Sequence, residues 1–212
     1  MSRAFLHPFI GRAFGSLKIS NQQISQQFPE WSADQITSKI GVDHRYHVKV
    51  GEDALDLAER ACLDFLDNSD IKKSVIDYIV LVTSSPRYVT PSSSVVLQDK
   101  LGLSINIGAI DVNQGCSGYV YGLSVAKGLI ASKQACNVLL VTAETYSKYI
   151  KPGDKSNLTI FGDGSYIDVL EEDVILQIQE LNSEYLSENF RLEVYIEESY
   201  GESSFLSSYK YY

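Results

Sequence analysis

Hydrophobic and polar residues alternate along the chain with two periods, one typical of helices and one typical of strands. Apolar residues spaced three and four positions apart predict helices over residues 34–40, 53–66, 93–101 and 117–131. Short β-branched and apolar runs predict strands over residues 4–10, 77–83, 105–112, 137–143, 157–160 and 166–170. From residue 77 to Ala143, strands and helices follow one another in strict alternation.

Such an alternation predicts an α/β fold. Strands joined through helices pair in parallel, and right-handed crossovers place the helices on both faces of the sheet. Ligands of these sheets bind beyond the carboxyl ends of the strands. The turn that follows the strand ending at Val112 is therefore a candidate for a functional site.

This turn carries a cysteine, in the sequence DVNQGCSGYVYGL from Asp111 to Leu123. Gly115 and Gly118 permit a sharp bend, and Cys116 falls at the start of the next predicted helix. Free backbone N–H groups and the positive end of the helix dipole favour a thiolate over a thiol at such a position. A thiolate attacks thioester carbons well, so Cys116 is a candidate nucleophile. The alternative is that Cys116 is a small buried apolar residue.

The helix that follows Cys116 carries apolar side chains on nearly every side, from Val120 to Ile130. A helix with this pattern is expected to be buried all round. Cys62, inside a helical pattern, and Cys136, just before a strand, are expected to be structural. Three cysteines are too few for a disulfide framework and favour a reducing compartment.

Composition narrows the class of protein. Hydrophobic residues make up 44% of the 212 residues, enough for a core, and no apolar run approaches the roughly 18 residues that span a bilayer. No basic patch supports nucleic-acid binding. We therefore expect a soluble cytoplasmic protein that binds neither membranes nor nucleic acids.

The acidic residues are concentrated at one end of the chain. Residues 1–170 hold 17 acidic and 16 basic side chains, whereas residues 171–212 hold 10 acidic and 2 basic ones. This change predicts a domain over 1–170 and a separate acidic, Tyr- and Ser-rich segment over 171–212. The segment is either a partner-binding tail or a solvated or incomplete part of a second domain.

Three weaker motifs have simpler interpretations. His44 and His47 lack further ligands nearby in the sequence, so we expect no metal site. The glycines of Phe161-Gly162-Asp163-Gly164 indicate a structural turn rather than a phosphate loop. The first 27 residues lack acidic side chains, as transit peptides do, although a first strand over residues 4–10 is the preferred interpretation.

Three blocks of the chain resemble β-ketoacyl-acyl-carrier-protein synthase III, a thiolase-like family. They are DVNQGCSGYVYGLSVAKGLI, NVLLVTAETYSKYI and DKSNLTIFGDGS, and they occur in the family's order. Upstream, GSLKISNQQISQQFPEW and KIGVDHRYHV resemble the family's opening segments. The resemblance runs from about Phe14 to Leu170 and implies the N-terminal half of a thiolase-like fold, with a mixed sheet.

The resemblance also implies a reaction. In the family, a cysteine at the position of Cys116 takes an acyl group from an acyl coenzyme A. A malonyl group on acyl carrier protein then loses carbon dioxide and condenses with the acyl-cysteine, in fatty acid or related acyl-chain biosynthesis. The implied partners are these two substrates and a second copy of the chain or another thiolase-like chain, and no tightly bound cofactor is implied.

Three further residues gain roles from the resemblance alone. Trp31 and Arg45 correspond to positions that hold the coenzyme A nucleotide, although each could equally be an ordinary core tryptophan or exposed arginine. Thr90 lies in a loop that lines the acyl pocket across the family's dimer, where acetyl-selective members have a bulky aromatic. We therefore expect this chain to accept acyl groups longer than acetyl. The alternative is an ordinary loop in which Ser92 caps the next helix.

The chain departs from the family in its catalytic groups. The family takes a histidine and an asparagine from its C-terminal half, whereas the only histidines here are His7, His44 and His47. After the Gly-Asp-Gly turn, Tyr166 and Asp168 replace small and apolar residues. Three interpretations stay open: a condensing enzyme or one portion of it, an acyltransferase or subunit that depends on another chain, and an inactive fragment.

Overall fold

A computed structural model describes residues 10–172 and 174. The strands are β1 Gly11–Phe14, β2 Leu17–Ser20, β3 His44–His47, β4 Tyr78–Val82, β5 Gly108–Val112, β6 Val138–Glu144 and β7 Gly164–Leu170. The helices are α1 Asn21–Gln27, α2 Ala33–Ile40, α3 Ala54–Asn68, α4 Ser93–Lys100, α5 Gly118–Ala131 and α6 Lys155–Ile160. Two 3₁₀ turns lie at Lys73–Val75 and Tyr146–Tyr149. None of the described helices is long and apolar enough to cross a membrane.

The main sheet is mixed, as predicted. Its five strands have the order β1-β7-β6-β4-β5, in which β4 runs parallel to β5 and β6, while β7 runs antiparallel to β6 and β1. The central strands β4 and β6 are almost continuously apolar because helices cover both of their faces. Strands β2 and β3 form a separate antiparallel pair.

One face of the sheet carries the main core. There α3 and α4 pack against the inward residues of β4, β6 and β7 around the fully buried Phe65. Asp53 caps α3 by accepting hydrogen bonds from Leu55 N (2.9 Å) and Asp56 N (3.3 Å). Cys62 lies inside this core, and burial raises its pKa far above the ordinary value, which fits the structural role expected of it.

Helix α5 packs against the opposite face of the sheet. A Cβ atom on Gly122 would come within 2.7 Å of Leu140 Cδ1 and 3.0 Å of Val82 Cγ2, so the missing side chain is what lets the helix lie this close. The prediction that α5 is buried all round is wrong. Its outward side leaves Tyr119 44%, Val120 63% and Tyr121 48% exposed. The apolar pattern thus marks two contact surfaces, of which the described residues cover only one.

Other differences from the predicted elements have local causes. Residues 157–160 form the end of α6 rather than a strand, because the Asp154 carboxylate accepts a hydrogen bond from Asn157 N (3.1 Å) and starts a helix. The strand predicted from residue 105 begins at Gly108. The strand predicted over 4–10 lies outside the described residues except for Ile10, which is not in a strand. Most of the segment 171–212 also lies outside them.

Candidate acylation site

Cys116 lies in the loop between β5 and α5, beyond the carboxyl end of a parallel strand and just before the first turn of the helix. Its side chain is exposed. The turn is closed by a hydrogen bond from Gly118 N to Gly115 O (2.7 Å). Within the described part of the chain, the Ser117 hydroxyl makes no capping hydrogen bond to α5, and the first turn holds no acidic residue. The positive end of the helix therefore remains available to stabilise a thiolate or an oxyanion.

The strand register shows which residues lie in one row with Val112, the last residue of the strand before Cys116. Val112, Val82, Thr142 and Tyr166 form one row across β5, β4, β6 and β7. Because adjacent strands lie about 4.8 Å apart, Thr142 is about 10 Å along this row from the strand that leads to Cys116. Thr142 and Tyr166 also line a cavity of about 490 Å³.

Aromatic side chains form much of this cavity wall. The Phe14 ring stacks on Tyr46 at a centroid distance of 5.3 Å and meets the edge of Tyr166 at 5.9 Å. His44 lies edge-on to Tyr46 at 5.4 Å. Tyr166, which departs from the family pattern in the sequence, thus contributes an aromatic surface here.

The loop over residues 84–92, which contains Thr90, connects β4 to α4. We name it the β4–α4 loop. Thr90 itself is exposed. Ser92 occupies the N-cap position of α4 but makes no capping bond within the described residues; the Asp111 carboxylate replaces it, accepting from Ser93 N and Ser94 N at 2.7 Å each. The end of the loop is thereby tied to β5, the strand that leads to Cys116.

Trp31 lies at a different part of the molecule, beside α2 and α6. Its half-buried ring has two ammonium groups over it, Lys155 Nζ at 4.9 Å and Lys39 Nζ at 5.8 Å from the ring centroid. Lys155 also forms an ion pair with Glu30 at 2.9 Å. These cation–π contacts bring two positive charges to the indole, and such a site is suited to a ligand that carries anionic groups.

Arg45 does not lie where the resemblance implied. The residue is only 4% exposed, and its guanidinium donates to Asn21 Oδ1 (2.7 Å), Thr159 O (2.7 Å) and Ile19 O (3.4 Å). Burial lowers its pKa. These internal bonds hold β3 against α6, and they argue against direct contact between Arg45 and coenzyme A. The alternative of an exposed arginine is also wrong.

Asp163, in the Gly-Asp-Gly turn, joins three distant segments. It is 2% exposed, and its carboxylate accepts hydrogen bonds from Val48 N (2.7 Å), Ser147 N (2.9 Å) and the Ser147 hydroxyl. Its own carbonyl accepts from Gly15 N at 3.1 Å. Since this carboxylate already has three donors, the turn is structural, as the sequence indicated. His47 lies nearby with Nε2 3.2 Å from Phe161 O, so one of the two histidines considered for a metal contacts a backbone carbonyl.

Sequence reasoning missed two groups of residues at these sites. Lys39 and Lys155 were not connected with Trp31, and Arg87 was not connected with the Thr90 loop. Only the short spacing from Lys155 to the Phe-Gly-Asp-Gly turn, inside the block that resembles the family, could have drawn attention to that lysine.

Comparisons with known proteins agree on one family. The family model of 3-oxoacyl-[acyl-carrier-protein] synthase III matches residues 110–187. A β-ketoacyl-[acyl-carrier-protein] synthase III of Clostridium perfringens strain ATCC 13124 is 37% identical over 158 residues, which are 73% of this chain and 48% of that protein. A synthase III of Staphylococcus epidermidis is 35% identical over 156 residues, with shares of 74% and 48%.

Solved structures give the same result. A crystal structure of 3-oxoacyl-(acyl-carrier-protein) synthase III superposes with a TM-score of 0.75 at 41% identity, covering 79% of this chain and 50% of that one. The synthase III of Pseudomonas aeruginosa PAO1 superposes with a TM-score of 0.71 at 30% identity, with coverages of 80% and 50%. The chain thus spans about half the length of the relatives it matches.

Proposed function

Since this chain is a member of the β-ketoacyl-acyl-carrier-protein synthase III family, with the thiolase-like fold of its relatives, we propose that Cys116 accepts the acyl group of an acyl coenzyme A. The Cys116 thiolate adds to the thioester carbonyl, and the tetrahedral intermediate expels the coenzyme A thiolate, which takes up a proton from water. The products are an acyl-Cys116 thioester and free coenzyme A. The observation that carries the proposal is the exposed Cys116 sulfur at the uncapped start of α5.

The second half-reaction in this proposal is a condensation. Malonyl-acyl carrier protein loses carbon dioxide, the carbanion attacks the acyl-Cys116 carbonyl, and the thiolate leaves as the 3-oxoacyl product forms. The negative charge that develops needs donors besides the α5 amides. Residues 117–212 contain no histidine, so in this proposal the condensation uses a histidine and an asparagine that lie outside these 212 residues.

We place the nucleotide end of coenzyme A at Trp31. The ammonium groups of Lys39 and Lys155, which lie over the indole ring, move to the phosphates of the nucleotide and leave the ring as a stacking surface for adenine. Arg45 then contributes indirectly, by fixing β3 and α6. The proposal places the protein in the cytoplasm, without a tightly bound cofactor, as a homodimer or paired with another chain.

Intact-mass analysis after incubation with octanoyl coenzyme A tests the acylation step. The expected result is one added octanoyl group, which peptide mapping locates on Cys116 and which Cys116→Ala abolishes. Cys136 is the matched control, because its thiol is exposed as well but is not at a helix start. Cys136→Ala should retain the full mass increase, and labelling of both thiols at equal rates would refute a special role for Cys116.

A second candidate function is that of a partner-dependent subunit, and the exposed side of α5 favours it. Tyr119, Val120 and Tyr121, at the start of α5 and directly after the nucleophile loop, all expose apolar surface. Apolar surface of this kind is typical of protein interfaces. The two functions are distinguished by adding malonyl-acyl carrier protein to the acylated chain: product formation by this chain alone would exclude dependence on a partner.

A further inference from the structure

The β4–α4 loop has an exposed apolar tip. Val89 is 98% exposed, Tyr88 is 49% exposed and Thr90 is also exposed, so the tip has little packing against the other described residues. Loop segments without buried side chains open at low free-energy cost. Whatever holds this tip in place must therefore act from elsewhere in the loop.

Both ends of the loop are fixed by carboxylates of the main sheet. At the start, Glu144 of β6 accepts from Ser84 N and from the Ser85 hydroxyl, the latter at 2.8 Å. At the end, Asp111 of β5 accepts from Ser93 N and Ser94 N. These anchors define where the loop leaves the sheet and where it returns, but they lie three or more residues from Val89.

The third anchor is Arg87, directly before the tip. Its guanidinium donates from Nε to Asp53 Oδ2 (2.5 Å), from Nη2 to Asp53 Oδ1 (3.0 Å) and from Nη2 to Asp56 Oδ1 (2.6 Å). The three side chains are partly shielded from solvent, at 25%, 16% and 31% exposure for Arg87, Asp53 and Asp56. A two-pronged arginine–carboxylate pair fixes orientation as well as distance, which a lysine in the same place cannot do.

The acceptors of Arg87 lie at the start of a helix that is packed into the main core. Asp53 is the N-cap of α3, whose next residues, Ala54 and Leu55, are in the main core. Arg87 therefore fixes the position of the loop tip relative to the core. Asp111 fixes the end of the loop relative to the strand that leads to Cys116.

We propose that Arg87 is a positioning residue that holds Tyr88, Val89 and Thr90 in place against the acyl pocket of the second copy in a homodimer, and thereby sets which acyl chain lengths that copy accepts on Cys116. This inference rests on the proposed acylation of Cys116, on the homodimer and on the pocket role that the family resemblance implies for Thr90. Hydrophobic pockets discriminate by roughly 10- to 200-fold per methylene. A residue in the wall of the pocket limits the length of the acyl chain only if that residue stays in place. Arg87 keeps Thr90 in place.

A double-mutant cycle tests the proposal with Thr90→Phe, which adds bulk at the tip, and Arg87→Ala, which releases the tip. The measured quantity is the ratio of the octanoyl to the acetyl transfer rate onto Cys116, followed by intact mass. In the wild-type background, Thr90→Phe should lower this ratio by about tenfold or more. In the Arg87→Ala background, the same substitution should lower it by less than about threefold, because a free tip swings away from a longer chain.

Lys100→Ala is the matched control. Lys100 forms an ion pair with Glu59 that also joins an element to α3, but neither residue is in the loop. Thr90→Phe should keep its full effect in this background. If Arg87→Ala does not fold, Asp56→Asn removes the negative charge opposite Arg87 while leaving the Asp53 side-chain cap in place, and it should reduce the Thr90→Phe effect partially.

The outcomes separate this inference from the proposed function. An equal Thr90→Phe effect with and without Arg87, on a chain that is acylated, would overturn the positioning role alone. A wild-type chain that takes up neither acyl group would overturn the proposed acylation and this inference together. A loss of the Thr90→Phe effect in Lys100→Ala as well would also overturn the positioning role, since a general loosening of α3 would then explain the result.

Discussion

Two glycines of α5 give a direct test of how the helix that follows Cys116 is seated. A Cβ atom added at Gly122 meets Leu140 Cδ1 at 2.7 Å and Val82 Cγ2 at 3.0 Å, whereas one added at Gly128 meets nothing within 4 Å. Both positions lie inside the same helix. Alanine is favoured over glycine by about 0.8–1 kcal/mol at each position, because of the smaller loss of backbone entropy.

The two substitutions should therefore have opposite effects on the free energy of unfolding. Gly128→Ala should stabilise the protein by roughly 0.5–1 kcal/mol. Gly122→Ala gains the same helical preference but incurs an overpacking cost of about 1–3 kcal/mol, since Val82 and Leu140 lie in the sheet and can move little. The net expectation is a destabilisation of about 1 kcal/mol, and a gap of about 2 kcal/mol between the two variants.

Urea unfolding followed by circular dichroism provides the measurement, with both variants and the wild type compared at one protein concentration. Equal slopes with shifted midpoints would indicate a change in stability rather than in the unfolded state. If Gly122→Ala proves as stable as Gly128→Ala, then α5 does not lie as close to β4 and β6 as described, and the placement of Cys116 would have to be revised.

Three further predictions concern other parts of the molecule. Lys155→Glu should raise the KM for acyl coenzyme A, measured by the acylation of Cys116. The rate with acyl-pantetheine, which lacks the nucleotide, should not change. Equal losses with both donors would mean that Trp31 and Lys155 do not form the nucleotide site. Burial alone would raise the pKa of Asp53, but hydrogen bonds from Arg87 and from backbone amides lower it below 3.8. Its stabilising contribution should therefore be complete above about pH 5 and lost as the pH falls further. Asp53→Asn, which keeps the cap, should flatten a plot of Tm between about pH 5 and about pH 3, and an unchanged acid slope would contradict this. Val120→Asp, on the exposed side of α5, should leave the Tm within about 1 °C of the wild-type value but reduce the self-association of the protein measured by light scattering. A large drop in Tm would mean that Val120 is buried within the chain itself.

Local pattern was sufficient to predict most elements of the main sheet and its covering helices. The helix predicted over 53–66 is α3, because its apolar period and the Asp53 cap are both features of a short stretch of sequence. The segment 157–160 was misjudged, since its apolar residues resemble a strand and the deciding interaction is a single side-chain cap from Asp154. The outward side of α5 was misjudged because an apolar pattern shows that a surface is to be covered, but not by what.

The candidate site was predictable only where its residues are close in sequence. The glycine-flanked turn was enough to select Cys116 and its place at a helix start. The bonds of Arg87 to Asp53 span 34 residues, and the bond of Arg45 to Thr159 spans 114. Interactions at such separations depend on the tertiary fold, so the anchor of the β4–α4 loop and the burial of Arg45 became visible only in the structure.

Because β1 pairs with β7, the first strand of the main sheet can take its place only after the last one has been translated. Gly11 pairs with Ile167, and among the described residues β7 is the strand of the main sheet that pairs with β1. At about 5–20 residues per second, a ribosome needs roughly 8–30 s to advance from one of these residues to the other. Throughout that interval the nascent N-terminal strand has no sheet to join, so it is the part of the emerging polypeptide on which a chaperone would be expected to act.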